Sequence, residues 1–131
     1  MNQQRLAIVR EAFEGFLAGI NSRDGGGLRE APWHPDVEYA EDERWPGASE
    51  FRGAEAVEAR FVEYGEIIGE VHAALDSVTE AGDRARVTVT FRGSAEASGL
   101  PMDHTWTYLV TERDGTVVRF EAYLDPADTR P

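Results

Sequence analysis

The sequence predicts a single α+β domain in which helices cover one face of a curved antiparallel sheet. Three features predict this fold class. Apolar residues recur at helical spacing in two early segments, alternating strand patterns fill the second half of the chain, and Asp114-Gly115 marks a tight turn between the last two strands. Helices followed by a run of strands are typical of α+β proteins, and 131 residues suffice for one domain.

The first element is an amphipathic helix over about residues 3–20. Its apolar stripe repeats at spacings of three and four and consists of Leu6, Val9, Phe13, Phe16, Leu17 and Ile20. Asn21 and the glycines at 25–27 end it. We expect a short helical turn at residues 28–33. A second amphipathic helix follows Gly53 and closes near Gly65 and Gly69, with the stripe Val57, Phe61, Tyr64 and Ile68.

The remaining elements are strands. Residues around Val37 and Tyr39 form a short one, and residues 41–52 form a loop. Four longer strands are predicted at about 71–79, 85–95, 103–113 and 116–124. Apolar alternation makes Val87, Val89 and Phe91 the inward set of the second of these strands.

A two-residue turn at Asp114-Gly115 would place Arg113 opposite Thr116 and set the register of the whole hairpin. Counting outwards gives the pairs Leu109 with Phe120 and Thr107 with Ala122. One face then carries His104, Trp106, Tyr108, Tyr123 and Asp125. The other face is smaller and more apolar, and it carries Thr105, Thr107, Leu109, Phe120, Ala122 and Leu124.

Composition excludes several function classes. Cysteine is absent and all 13 basic residues are arginine, so thiolate chemistry, disulfides and lysine Schiff bases are excluded. The net charge of -12 disfavours nucleic acid as a partner. No stretch approaches the roughly 20 apolar residues of a membrane span, and no export signal is evident, so we expect a cytoplasmic protein without a membrane partner.

Few residue constellations indicate specific chemistry. His104 opposite Asp125 could form a general acid–base pair, or it could be a polar cross-strand pair near a sheet end or in a subunit contact. His34, Asp36 and Glu38 alternate along one strand, but Pro35 interrupts them, and we expect no metal site. Nucleophile-elbow and dinucleotide glycine motifs are absent, so hydrolase and Rossmann functions are excluded and no cofactor is expected.

Several segments together resemble one known family. They are the early helix, residues 35–39 (PDVEY), 51–57 (FRGAEAV), 113–118 (RDGTVV) and 122–126 (AYLDP). The chain resembles the SnoaL-like branch of the nuclear transport factor 2-like superfamily over nearly its whole length. The resemblance implies a cone-shaped fold, in which a mixed, mainly antiparallel sheet of about four to six strands wraps around two long N-terminal helices and a short one. We expect one domain over residues 1–131, with a folded core at about 3–126.

The resemblance also bears on the site. The superfamily includes polyketide cyclases, steroid isomerases, epoxide hydrolases, dehydratases and pure binding proteins, so the fold does not select a reaction. The positions that match the acidic residues of its isomerases and epoxide hydrolases are Tyr39, Thr107 and Ala122, none of which is acidic. The resemblance implies that the face with Thr107 lines the pocket. The face with His104 and Asp125 would then point outwards, where Trp106, Tyr108 and Tyr123 would form a homodimer contact.

Two functions remain open. One is a protein that binds a small, largely apolar molecule of polyketide, steroid or terpene type and isomerises, cyclises or dehydrates it without a cofactor, with Tyr39, His104 and Asp125 as candidate catalytic residues. The other is a noncatalytic dimeric binding or accessory protein. Both place a ligand against the same predicted residues, Trp33, Tyr39, Trp45, Phe61, Phe91, Thr105, Thr107, Phe120 and Leu124.

Overall fold

Two helices and a six-stranded sheet make up the described part of the chain. In this computed structural model that part comprises residues 2–22, 27–28, 32–44, 47–68, 71–93 and 104–123. The helices are α1 (Asn2–Asn21) and α2 (Ala54–Ile68). The strands are β1 (Trp33–Ala40), β2 (Glu50–Arg52), β3 (Val71–Ala81), β4 (Arg84–Gly93), β5 (His104–Arg113) and β6 (Thr116–Tyr123). The predicted α+β class is confirmed.

The strands lie in the order β2-β1-β6-β5-β4-β3. β1 and β6 run parallel and every other neighbouring pair is antiparallel, so the sheet is mixed. Both helices lie on one side, which we call the inner face; the opposite side is the outer face. Apolar side chains of the helices and the inner face form one core, which includes Val9, Phe13, Phe16, Val57, Val87, Val89 and Phe120. Burial of this core is the main stabilising contribution to the fold.

Most element boundaries agree with the sequence predictions. The first helix begins and ends one residue beyond its predicted limits. The second helix begins after Gly53 and ends at Ile68, next to Gly69, as predicted. β2 lies in the segment predicted as a loop, since three residues are too few to show alternation, and it exists by pairing with β1 through Tyr39 and Phe51. The predicted short helical turn falls mainly on residues outside the described ranges, and its last residue, Trp33, belongs to β1.

The hairpin between β5 and β6 departs from its predicted register. Asp114 and Gly115 have positive φ angles of 53° and 86°, and Arg113 lies opposite Thr116, as predicted. The next pair, Glu112 with Val117, also follows the predicted register, but Thr111 then pairs with Arg119, so Val118 is an extra residue. An unpaired residue in one strand is a β-bulge, and it shifts every later pair by one position.

The bulge inverts the predicted faces of β5. Tyr108 pairs with Ala122 and Val110 with Phe120, so the predicted partners of these two β6 residues were wrong. Tyr108 is 2% exposed, and its ring centroid lies 5.5 Å from that of Phe13 in α1. Trp106 also packs against the core. The prediction that Trp106 and Tyr108 form an outer dimer contact is therefore wrong.

Thr105, Thr107 and Leu109 occupy the outer face instead. In the ladder with β4, Thr107 pairs with Thr88 and Thr105 with Thr90, one position out of phase with the inward Val87 and Val89. The predictions that Val87, Val89 and Phe91 point inwards, and that Phe120 and Ala122 do so on β6, are confirmed. The sequence therefore assigned only residues 104–110 of β5 to the wrong face of the sheet.

Candidate functional site

A cluster of aromatic rings fills the space between α1, α2 and the middle of the inner face. The Phe120 ring stacks on Tyr39 with centroids 4.6 Å apart and lies 5.3 Å from Trp33. From the helices, Phe16 and Phe61 meet at 4.8 Å. The Trp33 indole N–H donates a 3.0 Å hydrogen bond to the carbonyl oxygen of Ala12, so its polar atom is satisfied inside the core. Trp33 and Phe120 thus hold the fold together.

Exposure of the inner face changes along the strands. Near the hairpin turn its side chains are completely buried, as with Val110 and Val117. At the other end β1, β4 and β6 finish while β3 and β5 begin, and we call this the open end of the cone. There the inward side chains Leu75, Phe91 and Trp106, together with Phe61 of α2, are only partly buried. Solvent therefore reaches apolar side chains on the helix-covered side of the sheet.

The partly buried residues of the open end lie close together in the sheet. Leu75 and Trp106 flank Val89 on the two sides of β4, and Phe91 follows Val89 on the same face. Tyr39 and Phe61 face each other across the gap between β1 and α2, with ring centroids 5.2 Å apart. A concave apolar wall with a few polar atoms at its rim is typical of small-molecule sites. This wall is the candidate functional site.

The structure brings together only some of the predicted ligand contacts. Tyr39, Phe61 and Phe91 lie at the candidate site, whereas Thr105 and Thr107 lie on the outer face. Trp45, Leu124 and Asp125 fall outside the described residues. In the backbone ladder His104 lies opposite Phe91. Its predicted pairing with Asp125 therefore involves a residue outside the described part of the chain. Sequence reasoning missed Trp106 as a residue of the site because the bulge was not recognised.

The Asn21 side chain fixes the end of α1 to the edge strand β3 by pairing with its backbone, as a neighbouring strand would. The amide nitrogen of Asn21 donates a 3.0 Å hydrogen bond to the Ala73 carbonyl oxygen, and the Ala73 N–H donates a 2.7 Å bond to the Asn21 oxygen. β3 is the last strand of the sheet, so these bonds satisfy backbone groups that would otherwise lie on an open edge. The helix and the sheet edge are thereby held at a fixed separation.

The metal-binding pattern seen in the sequence forms a local backbone contact. The Nδ1 atom of His34 accepts a 3.0 Å hydrogen bond from the backbone N–H of Asp36. In the part of the chain that the structure describes, no group of three or more His, Cys, Asp or Glu side chains could hold a metal ion. Nor is any helix among the described residues long and apolar enough to cross a membrane.

A second candidate site, on the outer face, is a network of charges around Arg119. Its guanidinium contacts Glu121 at 3.1 Å, Glu38 at 3.1 Å and Glu50 at 3.4 Å. The Tyr123 hydroxyl donates a 2.7 Å hydrogen bond to Glu121. Beside this network lies a depression of about 390 Å³, lined by Ala40, Glu41, Asp42, Glu43, Arg44, Glu50, Arg119, Glu121, Ala122 and Tyr123.

The ionisation of this network makes it a poor proton-transfer site. Burial and the hydrogen bond to Glu121 raise the pKa of Tyr123 to about 12. Burial alone would raise the pKa of Glu121, but hydrogen bonds from Tyr123 and Arg119 outweigh it and lower that pKa. At neutral pH the phenol therefore stays protonated and the carboxylate stays ionised. A general acid or base works best with a pKa near the working pH, so we assign the network to structure.

Comparison with known proteins agrees with this fold. The SnoaL-like domain family matches residues 13–120, which is most of the chain. The chain belongs to the SnoaL-like domain family. Its resemblance to the nuclear transport factor 2-like superfamily is thus confirmed. A search of curated protein sequences found no match.

Solved structures cover almost the entire domain. Bal32a, from a soil-derived mobile gene cassette, is 22% identical with a TM-score of 0.74, covering 97% of this chain and 93% of its own. TerC, crystallised with polyporic acid, is 25% identical with a TM-score of 0.71 and coverages of 92% and 94%. A putative SnoaL-like polyketide cyclase from Jannaschia sp. CCS1 is 21% identical with a TM-score of 0.70 and coverages of 96% and 88%.

Proposed function

We propose that this SnoaL-like domain binds a small, largely apolar organic molecule at the open end of the cone, against the inner face of the sheet. One observation carries the proposal. Phe91 and Trp106 lie on the helix-covered face, yet they are only partly buried, while Val110 and Val117 next to the hairpin turn are fully enclosed. An apolar ligand would remove this aromatic surface from water, which contributes about 25 cal/mol per Å² buried.

The character of the wall supports a ligand of polyketide, steroid or terpene type. The described side chains that would face such a molecule are aromatic or aliphatic, and the buried Tyr39 packs behind them against Phe61. TerC, a relative of 25% identity, was crystallised with polyporic acid, which supports a small organic ligand. Aromatic walls recognise flat apolar molecules by ring stacking, which adds about 0.5–1.5 kcal/mol per ring pair beyond area burial.

Catalysis would be cofactor-free isomerisation, cyclisation or dehydration. Tyr39, His104 and Asp125 remain the candidate acid–base residues. The register supports His104 most, because its backbone pairs with that of Phe91, an inward residue at the open end. Histidine is the side chain most often used for proton transfer to or from an organic substrate.

A specific observation favours the second candidate function, noncatalytic binding. The two buried glutamates on the helix side, Glu41 and Glu58, both serve the fold. Glu41 is ion-paired with Arg60 at 2.8 Å, and Glu58 accepts a 2.7 Å hydrogen bond from the backbone N–H of Leu28. Carboxylates engaged in this way are poor proton shuttles, so neither of these two glutamates is a candidate for catalysis.

A thermal-shift screen tests ligand binding. We expect polyporic acid or a compound from a set of steroids, terpenes and aromatic polyketides to raise the unfolding temperature of the wild-type chain. Two neighbouring residues on opposite faces provide matched variants. Trp106→Leu should abolish most of the shift, while Thr105→Ala should retain it. No stabilising compound, or equal losses in both variants, would contradict the proposal.

Turnover distinguishes the two functions. If a stabilising compound is isomerised, cyclised or dehydrated, His104→Gln should lower kcat at least about tenfold while its affinity is retained. Tyr39→Phe, which removes only a hydroxyl, tests Tyr39 as a donor in the same assay. If every stabilising compound is recovered unchanged, the noncatalytic function is supported instead.

We also propose a homodimer that forms through the outer face. Tyr123 remains on that face, beside the charges around Arg119. Sedimentation equilibrium tests the assembly. We expect a dimer that Tyr123→Ala weakens, whereas a wild-type monomer at micromolar concentration would contradict it.

A further inference from the structure

Arg60 of α2 contacts both ends of the loop between β1 and β2. Its Nε donates a 3.0 Å hydrogen bond to Oε2 of Glu41, and one Nη donates a 2.8 Å bond to Oε1 of the same carboxylate. That Nη also donates a 3.1 Å bond to the carbonyl oxygen of Gly47. The other Nη reaches Glu63, one helical turn along α2, at 2.6 Å. One guanidinium thus joins the helix to residues 41 and 47 of the loop.

This ion pair is largely shielded from solvent. The side chain of Glu41 is 1% exposed and that of Arg60 is 12% exposed. Two buried charges repay their lost hydration only when their geometry is good, and a well-packed apolar pair often gives equal stability. The fork of a guanidinium, however, fixes the direction of a carboxylate in a way that no apolar contact does. The pair therefore contributes a defined geometry in addition to stability.

The two ends of the loop are joined through Glu41 and Ser49, and one of the bonds uses the same carboxylate. The Glu41 backbone N–H donates a 3.1 Å bond to the carbonyl oxygen of Ser49, and the Ser49 N–H donates a 3.2 Å bond to the Glu41 side chain. The described loop residues 41–44 and 47–49 follow the end of β1, at the open end of the cone. Without Arg60, the Glu41 side chain would lose the charge that holds it in place.

Arg60 also reaches the candidate ligand site through an aromatic stack. Its guanidinium carbon lies 5.3 Å from the ring centroid of Phe51, a cation–π contact. The Phe51 ring is stacked beside Tyr39, with centroids 6.2 Å apart and planes 21° apart. The residue that follows Arg60, Phe61, contacts Tyr39 directly. The orientation of Tyr39 is thus connected to Arg60 by two contacts.

We propose that Arg60 is a positioning residue of the ligand site: it holds the β1–β2 loop against α2 and, through Phe51, fixes the Tyr39 wall of the open end. This inference rests on the proposed binding function. Arg60 itself touches no ligand. Its removal should therefore change affinity by loosening the wall, and the loosening should be visible in the loop before any ligand is added.

The test combines three variants with two measurements on the full chain. Arg60→Met keeps the length of the stem, and Arg60→Lys keeps the charge without the fork. Arg44→Met is the matched control, because Arg44 forms a bidentate ion pair with Asp42 in the same loop. Hydrogen exchange reports the Glu41 and Ser49 amides, and a calorimetric titration with polyporic acid as the probe reports affinity at the apolar wall.

We expect the Glu41 and Ser49 amides to exchange at least about tenfold faster in Arg60→Met than in the wild type. Probe affinity should fall by about tenfold in that variant. Arg60→Lys should recover only part of the exchange protection, and Arg44→Met should match the wild type in both measurements. Unchanged exchange in Arg60→Met, or faster exchange with unchanged probe affinity, overturns the proposal alone. If the wild-type chain does not bind the probe, the proposed function is overturned, and with it the role of Arg60 at a ligand site. This holds even if the amides of Arg60→Met exchange faster as expected.

Discussion

Val110 lies opposite Phe120, where the two-residue turn at Asp114-Gly115 would by itself have placed Leu109. The single extra residue, Val118, accounts for this difference. Because side chains alternate along a strand, a shift of one position transfers the whole of β5 beyond the bulge to the opposite face. It is this shift that brings Trp106 to the inner face, where the candidate ligand site lies.

The inverted face predicts a clear difference between two residues of β5. Tyr108→Ala removes a ring that packs on Phe13 and Phe120, and we expect it to lower the free energy of unfolding by about 3–5 kcal/mol. Thr105→Ala, on the outer face and exposed, should change it by less than about 0.5 kcal/mol. Urea denaturation measures both. Comparable values for the two variants would contradict the bulge.

Much of the fold could be predicted from local patterns. The helical stripe from Leu6 to Ile20 and the alternation of Val87, Val89 and Phe91 each depend on one element, and each agrees with the structure. The turn could also be predicted, because a tight turn with positive φ at both central residues needs Asp-Gly or a similar pair. These features need no knowledge of the rest of the chain.

The candidate site could not be predicted in the same way, because it depends on the register between two strands. The sequence does contain a sign of the bulge. Val117, Phe120 and Ala122 are all buried, although a gap of three residues cannot fit a regular strand, while Trp106, Tyr108 and Val110 alternate normally. Both apolar sets reach the same core only if one residue is added near Val118. Counting from the turn alone conceals this.

The outer network predicts a pH-dependent contribution of Tyr123. Tyr123→Phe removes the hydrogen bond to Glu121, and we expect a loss of about 1 kcal/mol at pH 7, since the site is partly exposed. The folded pKa of Tyr123 is raised from 10.0 to about 12, so its stabilisation is complete below pH 10 and lost as the pH rises through 12.

The same pair behaves differently in acid. The folded pKa of Glu121 is lowered from 4.5, so its contribution is complete above pH 4.5 and lost as the pH falls through the folded value. The stability difference between wild type and Tyr123→Phe should therefore shrink at both extremes of pH. Chemical denaturation from pH 3 to about pH 12 tests this, and a difference independent of pH would be inconsistent with the network.

Because the indole of Trp33 is buried, substituting it should cause a moderate loss of folding stability. Trp33→Phe keeps an aromatic ring in the cluster but removes the hydrogen bond to Ala12 and part of the ring volume. We expect the free energy of unfolding to fall by about 1–3 kcal/mol. Thermal unfolding followed by circular dichroism measures the change. A substitution without effect would show that the Trp33 nitrogen is not bonded inside the core.

Glu112 links the hairpin turn to α1, and two substitutions of it should lower the stability by different amounts. Its carboxylate accepts a 3.2 Å bond from Arg5 and a 2.8 Å bond from the backbone N–H of Gly115. Glu112→Ala removes both and should cost about 1–2 kcal/mol. Glu112→Gln keeps an acceptor for Gly115 and should cost less than half as much, as the denaturation midpoints will show. If Gln costs as much as Ala, the turn contact contributes nothing.

The location of the ligand is the claim on which the proposed function depends. Side-chain NMR of the aromatic and threonine groups during titration with polyporic acid tests it most directly, because residues on the two faces of β4 and β5 report separately. We predict saturable shift changes at Tyr39, Phe61, Phe91 and Trp106, with Thr88, Thr105 and Thr107 unaffected. Changes confined to these threonines, or to Tyr123 beside the outer depression, would contradict it.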